Sequence, residues 1–198
     1  MSGFARSPRP LRPEPRVFVQ PVLRTPRLLL RPFQLADAPD VQRLAGDPAV
    51  SDTALDLPHP FEDGMAEAWI KTHAEQFGAG TLAVFAVVSA DGGELYGAAG
   101  LMIDPAHRRA ELGYWIGTAH WGRGYATEAA GAVIRYGFDG RGLQRIHANH
   151  LVRNPGSGRV LQKLGMQYEG CLRQHAWHRG AFEDLALYGI LRSHTASP

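Results

Sequence analysis

The apolar residues of this chain fall into two rhythms: short dense or alternating runs, as strands require, and stripes recurring every three or four residues, as helices require. Leu28-Leu29-Leu30 between Arg27 and Arg31 predicts a first strand, and residues 36–45 a short helix introduced by Asp37 and closed by Gly46-Asp47-Pro48. Met65, Trp69, His73 and Phe77 recur every four residues and predict a longer helix over residues 62–77, with Gly78 just past its end. Two apolar runs, residues 81–89 and 96–103, flank Asp91-Gly92-Gly93 and predict a hairpin. After a turn at residues 104–107, residues 110–116 predict a strand with Glu111, Gly113 and Trp115 on one side and Leu112, Tyr114 and Ile116 on the other.

Ala126, Ala130, Ile134 and Phe138 beside Tyr125, Ala129, Val133 and Gly137 make one apolar stripe and predict a helix over residues 122–138, ended by Gly140 and Gly142. Residues 145–152 predict a strand. Asn154-Pro155-Gly156-Ser157 opens a short helix that closes at Leu164-Gly165, and residues 166–176 and 182–191 predict two strands around His178-Arg179-Gly180. Hairpins beside a strand-helix-strand unit imply an α+β fold, a mixed α/β sandwich whose central mixed β-sheet is flanked by helices.

Composition narrows what such a fold serves. The chain has 198 residues, 44% of them hydrophobic, and no apolar run near the ~20 residues of a membrane-spanning helix, so one domain and no membrane partner are expected. A net charge of +2, from 21 Lys and Arg against 19 acids, is too mild to argue for nucleic acid. The single Cys171 excludes an internal disulfide, and no apolar stretch reads as a secretory signal, so the expected compartment is the cytoplasm. Arg6, Arg9, Arg12 and Arg16 interleave with Pro8, Pro10, Pro13 and Pro15. Residues 1–21 are therefore expected to be a disordered tail, residues 22–192 the domain and residues 193–198 a short C-terminal tail. No His-x-x-x-His pair or cysteine ligand set appears, so no metal is expected. Pairing into a homodimer stays open.

The chemistry concentrates between the strand ending near Ile116 and the helix that follows. Gly117, Gly122 and Gly124 let the backbone turn sharply and approach a ligand. The unpaired amides of the helix's first turn, with Arg123 and the Thr127 hydroxyl, suit a pyrophosphate. A tight turn without a ligand is the other reading. Arg123-Gly124-Tyr125 is not the Gly-Lys-Ser/Thr of a Walker-type loop, and a dinucleotide fingerprint fails on spacing and position.

His120-Trp121-Gly122-Arg123-Gly124-Tyr125-Ala126-Thr127-Glu128-Ala129 resembles the pyrophosphate loop of the GNAT N-acetyltransferases, in particular the branch of ribosomal-protein N-terminal (RimJ/RimL-type) acetyltransferases. That family carries Arg/Gln-x-x-Gly-x-Gly/Ala here, and Trp121 departs from its first position. Thr25-Pro26-Arg27-Leu28-Leu29-Leu30-Arg31 resembles the family's opening strand, and Ala110-Glu111-Leu112-Gly113-Tyr114-Trp115-Ile116-Gly117 its central one. Asn154-Pro155-Gly156-Ser157 with Val160-Leu161-Gln162-Lys163-Leu164-Gly165-Met166 resembles its second cofactor-side helix, though Gly158 is unusual inside it. The resemblance covers residues 22–192.

The resemblance implies the GNAT acyl-CoA N-acyltransferase fold and acetyl-CoA as cofactor, leaving as coenzyme A. The backbone of Trp115, Ile116 and Gly117 would hold the pantetheine as an added strand, Asn154 its arm, and Gly122, Arg123, Gly124, Tyr125, Ala126 and Thr127 the pyrophosphate. Direct attack by an amine needs a group to take the ammonium proton and one to protonate the thiolate; Glu111 and Ser157 are the candidates. Against these roles, Glu111 also reads as a rim carboxylate beside Arg109, Asn154 and Ser157 as helix-capping groups, and Lys163 as a solvated lysine. The acceptor is expected to be a primary amine, at a peptide N-terminus or on a small molecule such as an antibiotic or polyamine. A CoA-binding regulatory module without catalysis is the reading from another class. A long open groove beside Glu111 would suit a peptide, a closed acidic pocket a polyamine.

Overall fold

The structure, a computed structural model, describes residues 19–91 and 93–195; residues 1–18 of the expected N-terminal tail, Gly92 of the hairpin and residues 196–198 of the expected C-terminal tail lie outside the described residues. Eight strands form one sheet. They are β1 (Leu23–Arg24), β2 (Leu28–Arg31), β3 (Leu82–Ser89), β4 (Leu95–Asp104), β5 (Arg109–Ile116), β6 (Arg145–Leu151), β7 (Gln167–His178) and β8 (Ala181–Leu191). Their order across the sheet is β1-β2-β3-β4-β5-β6-β8-β7. Every neighbouring pair is antiparallel except β5 and β6.

Two helical layers cover the sheet because its two faces carry separate apolar sets. On one face α1 (Ala38–Ala45) and α3 (Met65–Ala79) bury Val41, Leu44, Ala66 and Ile70 against Ala86, Val88 and Leu95. On the other α4 (Tyr125–Arg135) and α5 (Pro155–Lys163) bury Ala130, Val133 and Leu161 against Leu112, Ile146 and Tyr188. Burial of the Val, Leu and Ile side chains among these contributes about 1.5–3 kcal/mol each and anchors both layers. The expected α+β sandwich is what forms.

Several boundaries differ from the sequence expectation, each for a local reason. The long helix runs to Ala79, past Gly78, and Gly80 at φ 78° supplies its left-handed cap. The next helix starts at Tyr125, because Gly122 and Gly124 take φ of 74° and 81°, and beyond Arg135 it relaxes into a wider π-type turn over Tyr136–Gly140. Asp37 closes a 3-10 turn and pairs with Arg31 at 2.7 Å before α1 begins at Ala38. A further short helix, α2 (Pro48–Ser51), follows Gly46, capped by the Asp47 carboxylate on the Ala49 amide. At the ends, Gln20 donates to the Val84 carbonyl at 2.6 Å, inside the expected tail, and Arg192–Thr195 forms a helical turn, α6.

β5 and β6 pair only at Arg109–Arg145, Ala110–Ile146 and Glu111–His147. Beyond that point β5 stays bonded to β4 as far as Ile116, and β6 to β8 as far as Leu151. Each strand keeps its outer partner while the inner edges part, which opens a split in the middle of the sheet. Glu111 stands at its apex.

Candidate active site at the split sheet

A cavity of about 960 Å³ occupies the split and reaches both faces, from Trp69 on one side to Ser157 on the other. The Gly117 amide donates to the Tyr96 carbonyl at 2.8 Å. By strand alternation Gly117 and Trp115 spend their backbone groups on β4, while Ile116 and Tyr114 direct theirs into the split. Of the three backbone positions expected to hold a ligand, only Ile116 is so directed. Its carbonyl already accepts from Trp121 Nε1 at 2.5 Å. Trp121 therefore ties the loop to the end of β5 from the position at which it departs from the family pattern.

At the mouth of the split, Gly122 and Gly124 make a left-handed turn whose amides precede the first turn of α4. No heavy atom lies within 4 Å of where a Gly122 Cβ would stand, so the backbone faces open space. Gly122, Gly124, Tyr125, Ala126 and Thr127 line the cavity, and Arg123 is exposed beside them. Beneath the turn, Tyr96 stacks on His120 and Tyr125 with ring centroids 4.1 and 4.9 Å apart. Open amides in a water-accessible turn at a helix start fit a pyrophosphate.

On the α1–α3 face, Glu111 accepts from Asn149 Nδ2 at 2.5 Å, and His147 Nε2 stands 3.8 Å from its other oxygen. Arg109 instead pairs with Asp104 at 3.2 Å, so the expected Arg109 partner for Glu111 is replaced by two residues of β6. Burial lowers the pKa of His147 more than the attraction of Glu111 raises it, so the imidazole stays neutral at neutral pH. Sequence reasoning missed Asn149. Its alternation with Ile146 and Ala148 is visible in the chain, but the register that sets it opposite Glu111 is not.

On the α4–α5 face, Ser157 Oγ lies 2.7 Å from the Tyr114 hydroxyl, a second group not foreseen. Burial pushes the Tyr114 pKa up to about 12, against the hydrogen bond with Ser157, so the phenol keeps its proton. Asn154 caps α5 by accepting from the Ser157 amide at 3.2 Å, and its Nδ2 reaches the Thr53 carbonyl at 3.5 Å. The capping role is met, and Asn154 also lines the cavity, as do Ser157 and Lys163. Gly158 has a steric reason: a Cβ there would stand 2.9 Å from Nε2 of His150, whose ring packs on the helix. His150 lines the cavity from this face, while His147 joins Glu111 on the other.

The outer wall of the α1–α3 side comes from α3 and the segment after α2. Trp69 packs edge-on to Phe33 and His73 at 5.0 and 4.4 Å and lines the cavity with Leu55, Asp56 and Leu57. Arg153 grips Asp52 at 2.6 Å and Glu183 at 2.7 Å, and Arg179 donates to Ser51 at 2.7 Å, tying this segment to β8 and the β7–β8 turn.

Residues 27–167 match the family described as Acetyltransferase (GNAT) domain. An uncharacterized N-acetyltransferase of Bacillus subtilis, YoaA, is 33% identical over 174 residues, 87% of this chain and 97% of that protein. The ribosomal-protein-serine acetyltransferase of Escherichia coli is 35% identical over 86 residues, 43% of this chain and 48% of that protein. Among solved structures, RimL, a ribosomal L7/L12 α-N-protein acetyltransferase in complex with coenzyme A, shares the fold at a TM-score of 0.79 and 18% identity, covering 86% of this chain and 98% of that one. A GNAT-family acetyltransferase from Bacillus anthracis reaches a TM-score of 0.76 at 26% identity, covering 87% and 99%. With a split mixed sheet, a glycine turn at its mouth, a family match over residues 27–167 and a relative matched over 97% of its length, the chain belongs to the GNAT acetyltransferase family and is an acetyl-CoA-dependent N-acetyltransferase.

Proposed function

We propose that this enzyme acetylates the N-terminal amine of a protein or peptide rather than a polyamine or aminoglycoside. The observation that carries the choice is the lining of the α1–α3 side of the cavity. Among the described residues there, Asp56 is the one carboxylate besides Glu111, and the wall is otherwise built from apolar groups such as Leu55, Leu57, Trp69 and Trp115. A polycation with several ammonium groups calls for several carboxylates in its site. A single amine on an apolar backbone needs one base and a wall to lie against.

In this reading the Gly122 and Gly124 turn and the first amides of α4 hold the pyrophosphate, and the Tyr114 backbone with the Ile116 amide, whose carbonyl Trp121 occupies, holds the pantetheine arm in the split. Acetyl-CoA supplies the thioester. Glu111, oriented by Asn149, takes the proton of the incoming ammonium from the α1–α3 face, directly or through one water. The Ser157 hydroxyl, backed by the protonated Tyr114, faces the sulfur side and donates to the thiolate. Base and proton donor sit on opposite faces of the sheet, so each reaches the thioester from its own side of the split.

The test is thiol release by the purified chain with acetyl-CoA and a panel of short peptides, N-blocked peptides, spermidine and an aminoglycoside. Turnover with free N-termini and none with their blocked forms is expected. Turnover confined to spermidine or the aminoglycoside would overturn the acceptor assignment. Tight acetyl-CoA binding without turnover on any acceptor would favour a regulatory module.

A further inference from the structure

Arg27 and Glu128 do not line the cavity, yet they meet directly behind its glycine turn across 101 residues of sequence. Thr25 Oγ1 donates to Glu128 Oε1 at 2.7 Å, and the Arg27 amide donates to the same oxygen at 3.0 Å. Arg27 Nε donates to Oε2 at 2.7 Å, with Nη2 2.6 Å from it. The guanidinium also turns forward. Its Nη1 donates to the Arg123 carbonyl at 2.9 Å, its carbon lies 4.7 Å from the centre of the Tyr125 ring, and Nη2 would be 3.5 Å from a Cβ on Gly124. Burial opposes ionisation of Glu128, but the bonds from Thr25 and Arg27 outweigh it and hold the carboxyl below its ordinary range. The charge of Arg27 is thus compensated from behind, which suits a bracket better than a phosphate ligand.

We propose that Thr25, Arg27 and Glu128 form a latch that fixes the Gly122-Arg123-Gly124 turn before any ligand arrives, making Arg27 a positioning residue for pyrophosphate binding. The proposal rests on the acetyl-CoA reading of the site. A turn with two left-handed glycines has more backbone freedom to lose than one built without glycine, and a turn ordered only on binding weakens affinity by that cost. Trp121, engaged on the Ile116 carbonyl, holds the near end of the turn. Arg27 holds its middle through the Arg123 carbonyl, and Glu128 fixes Arg27 to the helix that the turn opens. The motif at the opening strand and the acid in the helix's first turn are then two halves of one device.

The test compares wild type, Arg27→Ala and Arg27→Lys for affinity to coenzyme A and to pantetheine, which lacks the pyrophosphate, and for amide hydrogen exchange without ligand. Arg27→Lys keeps a charge for Glu128 but cannot also span to the Arg123 carbonyl. Both variants should bind coenzyme A roughly tenfold more weakly, with exchange faster at residues 122–127 and unchanged in β3 and β4. Pantetheine affinity should not change. Unaltered coenzyme A affinity in both variants would overturn the latch, as would equal losses for pantetheine or faster exchange across the sheet, which would mark Arg27 as general support. Failure of the wild type to bind coenzyme A would instead overturn the acetyl-CoA reading itself.

Discussion

On the face carrying α4 and α5, the groups proposed for the cofactor come from three short continuous segments, the end of β5 at residues 114–116 and the helix entrances at residues 122–127 and 154–157. On the opposite face, Glu111, Asn149, Trp69 and Leu55 come from two strands, a helix and a loop, joined only by the fold. A diphosphate is recognised through backbone amides in a fixed turn, so local sequence suffices to build its cradle. An acceptor is recognised by side chains converging from distant elements, which only the fold brings together.

The contrast predicts its own largest effect on the cofactor face. Gly124 sits at φ 81°, a conformation a β-branched residue adopts only with strain, and the turn must stay close to the ligand. Gly124→Val should weaken acetyl-CoA binding by about a hundredfold or more, measured by calorimetry, because misplaced amides forfeit several charge-assisted hydrogen bonds at once. Normal affinity in this variant would break the cradle assignment and with it the comparison.

On the acceptor face the corresponding change should leave binding alone. Glu111→Gln keeps the hydrogen bond geometry toward Asn149 approximately but cannot take a proton. It should lower kcat about tenfold or more while the Kd for acetyl-CoA stays within about twofold. Unchanged turnover from pH 6 to 9 would remove Glu111 from the mechanism. Loss of cofactor affinity would show that the two faces are not separable.

Legibility in the sequence followed the same division. The glycine turn, the Asn154-Pro155 helix start and the alternation around Glu111 could be read because each is a local pattern with a local cause. The helix start was placed at Gly122, ahead of the apolar stripe that opens at Tyr125, and the left-handed Gly122 and Gly124 keep the helix from beginning there. The Arg109 partner for Glu111 was inferred from their shared strand face, whereas Asp104, opposite Arg109 across the β4–β5 turn, takes it. Asn149, Tyr114 and the Thr25–Arg27–Glu128 contact depend on strand register and helix placement, which no window of sequence contains.

A smaller effect concerns the hydroxyl pair behind the thiolate. Tyr114→Phe removes the partner of Ser157 without changing the ring that packs against the core. It should reduce kcat roughly fivefold, and Ser157→Ala in addition should cost little more, because the two hydroxyls act as one unit. Fully multiplicative losses would mean that Tyr114 and Ser157 act separately.

The smallest effect separates the two faces by acid. His73 is buried on α3 between Phe33 and Trp69, neither ring nitrogen has a partner among the described residues, and burial drops its pKa to about 4. An unfolded histidine titrates near ~6.5. Between these two values the unfolded chain binds a proton that the folded one refuses, so stability is full above the upper value and falls as pH drops toward the lower. The loss is on the order of 1–2 kcal/mol and falls on the acceptor face, where Trp69 leans on the same ring. His73→Leu should leave the melting temperature at pH 7.5 nearly unchanged and raise it by a few degrees at pH 5, with amide exchange at pH 5 slowing in α3 before any change in α4. An equal gain at both pH values would trace the effect to packing alone, and would leave the acid sensitivity of the acceptor face to another group.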